Sequence, residues 1–445
     1  MRTPRYKLVL DRLAAEIRAG RWPAGTRLPT HRRLAEVEGV AVVTASRVYA
    51  ELEAMGLVSS EQGRGTFVRD RALSPGHGID QQWAASDVTD LNFNYPALPG
   101  QAEILRSALR ELAGSGDLEA LLRYQPHRGR PHDRAVVAGH LRRRGLDVDA
   151  DRVAIVSGAQ HGLAVACTGL LRAGDVVAVD ALTYPGFKAL AGLLGLELAP
   201  IRSTATGPDL NHLEQVCAHR GVQAVYCMPT LHNPLGWVLD ADVRERLVQI
   251  ARRHQLMILE DASYAYLADD APTPLAALAP ERTVHVTGLS KSVATGLRVG
   301  FLTAPPDALP SIERAIRATT WNTPSLTTAI ACRWIDDGTV DRLEADKRRD
   351  ATARQAIARE ALAGLPYVSH PSSYFLWLPL AEDARADRLA AALAQERISV
   401  ATAVPFATTT NVPQALRLAL GSVELAHLPA VLDRVRAAAD DDAFR

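Results

Sequence analysis

The richest chemical signal in the sequence is Lys291, a lysine that comes after an apolar strand. It lies in residues 287–300, which read TGLSKSVATGLRVG. A lysine amine becomes nucleophilic near neutral pH in a partly desolvated pocket and can then form a Schiff base with a carbonyl group. Arg298 can return to the same pocket to bind a phosphate, and Ser290 can add a hydroxyl donor. Taken alone, Lys291 would be an ordinary exposed lysine, so the interpretation depends on its companions.

Four residues at strand ends could complete such a pocket. Asp261 follows the apolar residues 257–259, and a carboxylate there can keep a ring nitrogen protonated. Asn233 and Tyr264 can reach a ring oxygen, and the side chain of Tyr184 can stack on a flat ligand. Each residue also has an ordinary alternative: a helix-capping aspartate, an Asn-Pro turn or an aromatic of the core.

Two further features suit anionic groups. Residues 157–162, SGAQHG, open a helix, so the backbone at Ala159 and Gln160 can approach a phosphate at the helix N-terminus. Arg417 lies on a late strand, where its guanidinium could hold a carboxylate through two hydrogen bonds. The alternative is that Arg417 is an ordinary surface arginine on a strand and binds no ligand.

Short apolar strands that alternate with helical stretches must position these residues. We predict strands at residues 153–156, 176–179, 224–228, 257–259, 284–286 and 299–303. The alternation predicts an α/β fold with a largely parallel sheet, whose carboxyl edge collects ligand-binding residues. From about residue 325, long helices precede strands at 374–378 and 415–420, which predicts a smaller C-terminal α+β subdomain.

The order of these motifs resembles the pyridoxal 5′-phosphate enzymes of fold type I, of the class I and II aminotransferase kind. The resemblance runs from about residue 90 to the end of the chain. It implies that Lys291 forms the internal aldimine with the cofactor. It also implies that Asp261 pairs with the ring nitrogen, and that Asn233 and Tyr264 bind the 3′-oxygen. Lys291, Asp261 and Tyr264 are then the implied catalytic residues.

The same resemblance implies the remaining contacts. Tyr184 would stack on the ring, and Arg417 would meet a substrate or effector carboxylate. Tyr124 resembles the tyrosine that reaches the phosphate of the neighbouring subunit, which implies a homodimer with shared sites. The residues implied to hold the phosphate of their own chain are Ala159, Gln160, Ser290 and Arg298.

Residues 1–70 show three helical stretches and a hairpin. Apolar residues at helical spacing predict a first helix, Thr30 is placed to cap a second, and a third starts at about Thr44. Short β segments at 57–60 and 66–69 follow. This pattern is typical of a winged helix-turn-helix.

Hydroxyl and guanidinium groups on this unit suit a DNA duplex. Thr30 and Arg32 stand at the start of the second helix, where phosphates bind. Thr44, Ser46 and Arg47 on the third helix can reach base edges in the major groove. A winged helix used only for protein contacts is the alternative.

Arg64 stands between two glycines at the hairpin tip, where a narrow wing with one arginine suits the minor groove. The unit resembles the GntR-type winged-helix domain through the sequences LPTHRRLA at 28–35 and QGRGTFV at 62–68. The family often has Ser-Arg where this chain has Ala41-Val42, and often a basic residue at Ser46.

The two halves together resemble the MocR subgroup of bacterial regulators. Residues 1–70 would be the DNA-binding domain, 71–88 a linker with Pro and Gly, and 89–445 the aminotransferase-like domain. The resemblance implies a DNA-binding transcriptional regulator that recognises an operator. Its body would sense an amino compound, or pyridoxal 5′-phosphate itself, through the aldimine at Lys291. A working aminotransferase with an appended winged helix is the alternative.

Composition and charge restrict the other classes of protein. The 445 residues are 47% hydrophobic with 50 basic and 50 acidic side chains, which excludes a disordered, collagen-like or coiled-coil protein. Residues 1–70 hold 12 Lys and Arg against 8 Asp and Glu, so a basic appendage joins a mildly acidic body. No apolar run approaches the roughly 20 residues of a membrane span, and the four cysteines lie far apart. We therefore expect a cytoplasmic protein without a membrane segment, disulfide framework or metal site.

Overall fold

A computed structural model describes most of the chain. The described residues are 5–23, 26–55, 57–61, 65–68, 88–115, 117–381 and 384–443. Within these ranges, no helix is both long and apolar enough to cross a membrane. Nearly all of the predicted linker, residues 71–88, lies outside them. The domain limits at 1–70, 71–88 and 89–445 therefore stay a prediction.

Three helices and a two-stranded hairpin form an N-terminal unit, here called the head. Its elements are α1 (Arg5–Arg18), α2 (His31–Glu38), α3 (Val42–Ala54), β1 (Val58–Glu61) and β2 (Gly65–Val68). Thr30 caps α2 as predicted, because its Oγ1 accepts a hydrogen bond from the backbone N–H of Arg33 at 3.3 Å. Helix α2 ends at Glu38 and is capped by Gly39, with a φ of 60°. Helix α3 begins at Val42, before the predicted start at Thr44, and its N-cap Ala41 makes no side-chain hydrogen bond that could mark the start in the sequence.

The rest of the described chain is an α/β body. Its helices are α4 (Gln101–Ser115), α5 (Leu118–Leu121), α6 (Pro131–Arg143), α7 (Ala159–Leu170), α8 (Pro185–Leu193), α9 (Leu210–His219), α10 (Ala241–Arg253), α11 (Leu275–Leu278), α12 (Leu289–Ser292), α13 (Leu309–Thr319), α14 (Ser325–Asp336), α15 (Thr339–Ala361), α16 (Ala386–Gln395) and α17 (Leu428–Ala443). Its strands are β3 (Thr89–Leu91), β4 (Val153–Val156), β5 (Val176–Asp180), β6 (Glu197–Ile201), β7 (Val222–Cys227), β8 (Met257–Asp261), β9 (Thr283–Gly288), β10 (Gly300–Thr303), β11 (Phe375–Pro379), β12 (Ile398–Thr402) and β13 (Ala415–Ala419).

Seven strands form the large sheet, in the order β4-β10-β9-β8-β7-β5-β6. Strand β10 runs antiparallel to both of its neighbours, and the other pairings are parallel. The prediction of a largely parallel sheet is therefore confirmed. The sequence analysis missed β6, whose Pro200 interrupts the strand pattern. Proline is tolerated here because β6 lies at the edge of the sheet, where one side of the strand has no neighbour to bond.

Apolar side chains cover the large sheet on both faces. Val284 and Val286 of β9 pack into one core cluster, and Ile258 of β8 packs into another on the opposite face. A strand buried on both faces needs nearly continuous apolar residues, which is why these strands were readable from the sequence. This rigid support fixes the loops at the carboxyl edge of the sheet.

Four strands form the small sheet, in the order β11-β13-β12-β3. Strand β3 pairs parallel to β12, with Thr89 opposite Ile398, although it lies far upstream in the chain. Three residues are too few to show a strand period, so the sequence did not assign β3 to this sheet. Helix α14 packs with the core beside the large sheet, and residues at the end of α15 pack into the core of the small sheet.

Candidate functional site

A cavity of about 590 Å³ lies at the carboxyl edge of the large sheet and extends to the small sheet. The loop that follows β3 contributes Phe93, Asn94 and Tyr95 to its wall. The cavity also brings together most of the body residues that the sequence selected. They are Ala159, Gln160, Tyr184, Asn233, Asp261, Tyr264, Ser290, Lys291, Arg298 and Arg417.

Lys291 extends into this cavity from α12, the single helical turn after β9. Its Nζ donates a hydrogen bond to the backbone carbonyl of Asn94 at 3.0 Å. Its own backbone carbonyl accepts hydrogen bonds from the Tyr266 hydroxyl at 2.9 Å and from Lys347 Nζ at 3.0 Å. The main chain at Lys291 is thus held from two sides, while the side-chain amine reaches the cavity.

Asp261 is buried at the end of β8, on the strand next to the one that leads to Lys291. Its carboxylate accepts hydrogen bonds from the Tyr226 hydroxyl at 3.0 Å and from the backbone N–H and hydroxyl of Ser263 at 2.9 and 2.6 Å. Burial raises the pKa of the Asp261 carboxyl above its ordinary value, although these hydrogen bonds act in the opposite direction. A buried carboxyl group with fixed donors is well placed to bond the N–H of a ring.

Three residues lie where a flat ring could sit above Asp261. Asn233 is buried, and its Oδ1 has no hydrogen-bond partner among the described residues. Tyr264 is buried edge-on against Phe375, with ring centroids 5.2 Å apart. The ring of Tyr184 lies so close to Gly186 that a Cβ at this glycine would come within 2.5 Å of it. The arrangement therefore presents an amide, a hydroxyl and an aromatic face to one space.

A set of donors for an anion lies at the N-terminus of α7. The helix begins at Ala159 after Gly158, whose backbone has a φ of 89°. The Arg298 guanidinium donates to the Ser290 hydroxyl at 3.0 Å and to the Ser157 carbonyl at 3.3 Å. Free N–H groups and the dipole of a helix N-terminus attract phosphate, and an arginine beside them adds charge and paired donors.

Replacing Gly158 with alanine is expected to weaken anion binding at this end of the cavity. A Cβ at Gly158 would lie 2.7 Å from Arg298 Nη2, so the guanidinium must move. Its φ of 89° and ψ of 165° also fall in a region used almost only by glycine, which costs about 1–3 kcal/mol for other residues. We expect roughly tenfold weaker retention of a phosphate-bearing cofactor, measured by equilibrium dialysis.

Gly174→Ala is the matched control for this prediction. Gly174 has a φ of 90° and, among the described residues, no atom lies within 4 Å of the position that a Cβ would take there. It lies outside the lining of the cavity. The control should lose stability from backbone strain alone and keep its affinity for the cofactor. Equal loss of affinity in both variants would contradict the assignment of Gly158 and Arg298 to an anion site.

Arg417 approaches the cavity from β13 of the small sheet. It is buried, its Nη2 donates to the Asn92 carbonyl at 2.7 Å, and its guanidinium lies 5.3 Å from the centre of the Phe406 ring. Its Nε has no hydrogen-bond partner among the described residues. Burial lowers the pKa of this guanidinium, but arginine remains charged near neutral pH. An arginine with a spare donor is suited to a carboxylate.

Tyr124 lies outside the cavity of its own chain. It is 84% exposed, and its ring centroid lies 5.4 Å from that of Trp321. Tyr124 is therefore free to contact a second copy of the chain, as the prediction of a shared phosphate site requires. The shared site stays a prediction that depends on a second copy.

Several supporting residues were missed by the sequence analysis. Tyr226 could have been found, because it lies near the end of β7, the strand beside β8, and its hydroxyl reaches Asp261. Asn94 acts through its backbone carbonyl, for which the sequence carries no signal. Lys347 is fully buried on α15, and burial together with the nearby charge of Lys291 lowers its pKa to about 7. The contact was not predicted, because Lys347 and Lys291 are far apart in the sequence.

The head presents a second candidate site on α2 and α3. Arg32 is exposed at the start of α2, and Thr44 is half-buried near the start of α3. Ser46 Oγ lies 2.9 Å from His31 Nδ1. Arg47 is exposed, with its Nη2 3.4 Å from the Tyr6 hydroxyl. Arg64, the predicted minor-groove residue, lies outside the described residues.

Comparisons with protein families match both parts of the chain. Residues 86–435 match the family "Aminotransferase class I and II". Residues 5–68 match the family "Bacterial regulatory proteins, gntR family".

Similar curated proteins include regulators that match over most of their length. The uncharacterized HTH-type transcriptional regulator YjiR of Escherichia coli strain K12 is 27% identical over 93% of this chain and 94% of its own. The probable rhizopine catabolism regulatory protein MocR of Rhizobium meliloti is 26% identical over 73% of this chain and 70% of its own. The 2-aminoadipate transaminase of Thermus thermophilus is 26% identical over 74% of this chain and 84% of its own.

Solved structures resemble the body of the chain. The α-aminoadipate aminotransferase LysN of Thermus thermophilus has a TM-score of 0.73 at 24% identity and covers 81% of this chain and 94% of its own. An archaeal alanine:glyoxylate aminotransferase has a TM-score of 0.75 at 22% identity and covers 80% and 91%. At these identities the likeness establishes the fold, which agrees with the prediction of fold type I.

Proposed function

The chain belongs to the aminotransferase class I and II family and carries a gntR-family domain at its N-terminal end, and from this premise we propose that its body senses an amino compound and adjusts the binding of the head to an operator. The protein is a DNA-binding transcriptional regulator of the MocR type, as its relatives are named. Its cofactor is pyridoxal 5′-phosphate. We expect it to act in the cytoplasm, where the operator is found.

The observation that supports this function most strongly is the composition of the cavity. One space holds a lysine amine, a buried carboxyl group and an arginine beside a helix N-terminus, from Lys291, Asp261 and Arg298. The cofactor contains an aldehyde, a ring nitrogen and a phosphate, and these three protein groups match them in chemistry. Oδ1 of Asn233 and Nε of Arg417 have no hydrogen-bond partner among the described residues, so the cavity also retains polar atoms for a ligand. The residues present fit the cofactor.

Each group has a proposed task when the cofactor is bound. Lys291 would hold it through Nζ, Asp261 would bond its ring nitrogen, and Asn233 and Tyr264 would bond the 3′-oxygen, with Tyr184 packed on the ring. The phosphate would be held by Ala159, Gln160, Ser290 and Arg298. When bound, the cofactor supplies an aldehyde that reacts reversibly with amines and a ring that withdraws electrons. The site is therefore chemically selective for amino compounds.

Arg417 narrows the class of amino compound. Its buried guanidinium faces the same cavity as Lys291, so a ligand with both an amine and a carboxylate would contact both. Such a ligand also links the two sheets, because Arg417 belongs to the small sheet and Lys291 follows a strand of the large sheet. We propose an amino acid or a related amino-carboxylate as the effector.

The small sheet also provides a physical connection to the head. Gln414 immediately precedes β13, the strand that carries Arg417. Its Oε1 accepts a hydrogen bond at 2.9 Å from the backbone N–H of Ala386, the first residue of α16. The adjacent Arg385 donates to the Asp11 carboxylate of α1 at 2.6 Å. A ligand held by Arg417 therefore acts on the unit that contacts the head. An effector shifts the DNA-binding equilibrium only by its different affinity for the two states.

We further propose a homodimer. The exposed Tyr124 would then reach the phosphate of the neighbouring chain, and two copies of α3 would meet a repeated or palindromic half-site. Sedimentation of the full chain tests the stoichiometry. A lowered cofactor affinity of the Tyr124→Phe variant would support the shared site. A chain that binds the cofactor but stays monomeric at every concentration would contradict it.

Operator binding is tested by titrating the full chain onto duplexes enriched from a random library, at several salt concentrations. The affinity should fall steeply with salt, because Lys and Arg release counterions from the phosphates. Arg32→Ala should weaken binding to all enriched sequences alike and reduce the salt slope by about 1. The change removes a charge that is exposed beside the N-terminus of α2.

Arg33→Ala is the matched control on the same helix. The Arg33 guanidinium is engaged with Glu36 at 2.6 Å, so its removal should change the salt slope less than removal of Arg32. Binding that is insensitive to salt, or equal effects of the two variants, would contradict the proposed placement of α2 at the phosphate backbone.

A working aminotransferase is the second candidate, and one observation favours it. Every residue implied for catalysis lines the cavity, namely Lys291, Asp261 and Tyr264. A related protein is named a 2-aminoadipate transaminase. Steady conversion of a keto acid by the full chain with an amino donor would favour the enzyme. Single-turnover reaction without recycling would favour the sensor.

A further inference from the structure

Two exposed valines open the helix that would enter the major groove. Val42 is 46% exposed and Val43 is 81% exposed, at the first two positions of α3. Farther along the same helix, Val48 and Leu52 are fully buried in the core of the head. The core of the head therefore does not need these two valines, and their side chains are available to a partner outside the head.

The polar side chains one turn farther along α3 are already engaged within the head. Ser46 Oγ lies 2.9 Å from His31 Nδ1, so the hydroxyl is tied to α2. The Arg47 guanidinium lies 4.3 Å from the centre of the Tyr6 ring, and its Nη2 is 3.4 Å from the hydroxyl of that tyrosine. Beside these engaged side chains, the methyl groups of Val42 and Val43 are exposed at the start of the helix.

The surroundings of Val43 are cationic and favour DNA as its partner. Val43 and Thr44 line a shallow surface hollow together with Arg5 and Arg47. A partner must therefore combine negative charge with small apolar groups. In the major groove of a duplex, the C5-methyl of thymine is the apolar group among the base edges, and phosphates flank it.

We propose that Val43, assisted by Val42, recognises thymine methyl groups in the operator by apolar contact. The inference rests on the proposed function, because it requires the head to bind a duplex. Of the two valines, Val42 stands at a position where the related family often carries arginine, within the pair Ala41-Val42 that replaces Ser-Arg, and Val43 follows it directly. The head then reads methyl groups at these positions in addition to any hydrogen-bonded bases.

The experiment removes one methyl at a time from the DNA. The tightest duplexes enriched from a random library are resynthesised with deoxyuridine in place of individual thymines, which deletes the methyl and keeps the base pair. For the wild-type chain, at least one such replacement should weaken binding about three- to fivefold, the value of one buried methyl group. In Val43→Ala, the difference between thymine and deoxyuridine at that position should largely disappear. Because Val43 is exposed, this variant is expected to fold normally.

Val37→Ala is the matched control. Val37 lies on α2 and is 64% exposed, so its truncation also removes an exposed valine from the head. This variant should keep the wild-type discrimination between thymine and deoxyuridine.

The possible outcomes separate this inference from the proposed function. A wild-type chain that binds no duplex would overturn both. A chain that binds tightly but treats every thymine and deoxyuridine alike would overturn the recognition of methyl groups only. Discrimination between thymine and deoxyuridine that persists in both Val42→Ala and Val43→Ala would also overturn the recognition of methyl groups only. A changed oligomeric state of Val43→Ala with unchanged discrimination would show a protein contact at this face and overturn the inference.

Discussion

Lys291→Ala is expected to abolish stable retention of pyridoxal 5′-phosphate. After reconstitution and dialysis, the wild-type chain should keep roughly one cofactor per chain with a visible absorbance band, and the variant should keep almost none. The reason is that Lys291 contributes the only amine placed in the wall of the described cavity. Absorbance spectroscopy and mass spectrometry after borohydride treatment measure the retained cofactor and its attachment.

The fold should survive this change, so the result can be assigned to the amine. The contacts from Tyr266 and Lys347 are made to the backbone carbonyl of residue 291, which alanine also has. Lys188→Ala is the control, because Lys188 Nζ bonds the Pro405 carbonyl at 2.8 Å outside the cavity lining. Cofactor fixed by borohydride should therefore map to position 291 in wild type and in the control. Attachment at Lys188 or Lys347, or a coloured Lys291→Ala variant, would contradict the site.

Arg417→Leu is expected to weaken the response to amino acids by about 30-fold or more. Removing one partner of a buried charge pair typically costs about 2–5 kcal/mol, and Arg417 is the buried cation of the small sheet that faces the cavity. Titrating the cofactor spectrum with each member of a panel of L-amino acids gives the half-saturating concentration. The variant should need a correspondingly higher concentration of the most effective amino acid.

A change of ligand supplies the control for Arg417. The amine that corresponds to the effective amino acid, but lacks the carboxylate, should act equally on wild type and variant. Thermal unfolding should be measured for both proteins, because Arg417→Leu also removes the hydrogen bond to the Asn92 carbonyl. An equal loss of response to the amino acid and to the plain amine would show that Arg417 supports the structure and does not bind a carboxylate.

Residues at the ends of buried parallel strands were the easiest to predict. Asp261 ends one apolar strand of the large sheet and Lys291 follows the next, and parallel strands bring their carboxyl ends to one edge. The cavity contains both, together with Asn233 and Arg298. Their placement follows from strand pattern and order alone, while their tasks toward the cofactor remain proposals.

Contacts between distant segments were not predictable from local pattern. The loop after β3 reaches two of the basic side chains of the cavity, because Asn92 and Asn94 offer backbone carbonyls to Arg417 and Lys291. Every residue has such a carbonyl, so the sequence does not distinguish these two. The pairing of β3 with β12 that places this loop depends on tertiary structure.

In the head, the sequence did not show which of the groups predicted to bind DNA on α2 and α3 already have partners within the head. Thr30 caps α2 as its spacing indicated. Ser46 and Arg47, predicted to face bases, are engaged by His31 and Tyr6, which lie far from them in the sequence. The exposed valines of α3 became informative only once the core of the head was defined.

The coupling of the two halves of the chain is tested most directly by one dissociation constant. It is the dissociation constant of the full chain for its enriched duplex, measured after reconstitution with the cofactor, with and without the most effective amino acid, for wild type and Lys291→Ala. We expect a shift of about fivefold or more in wild type, within the usual range of allosteric coupling, and no shift in the variant. An unchanged constant in wild type, or the same shift in Lys291→Ala, would contradict sensing through Lys291.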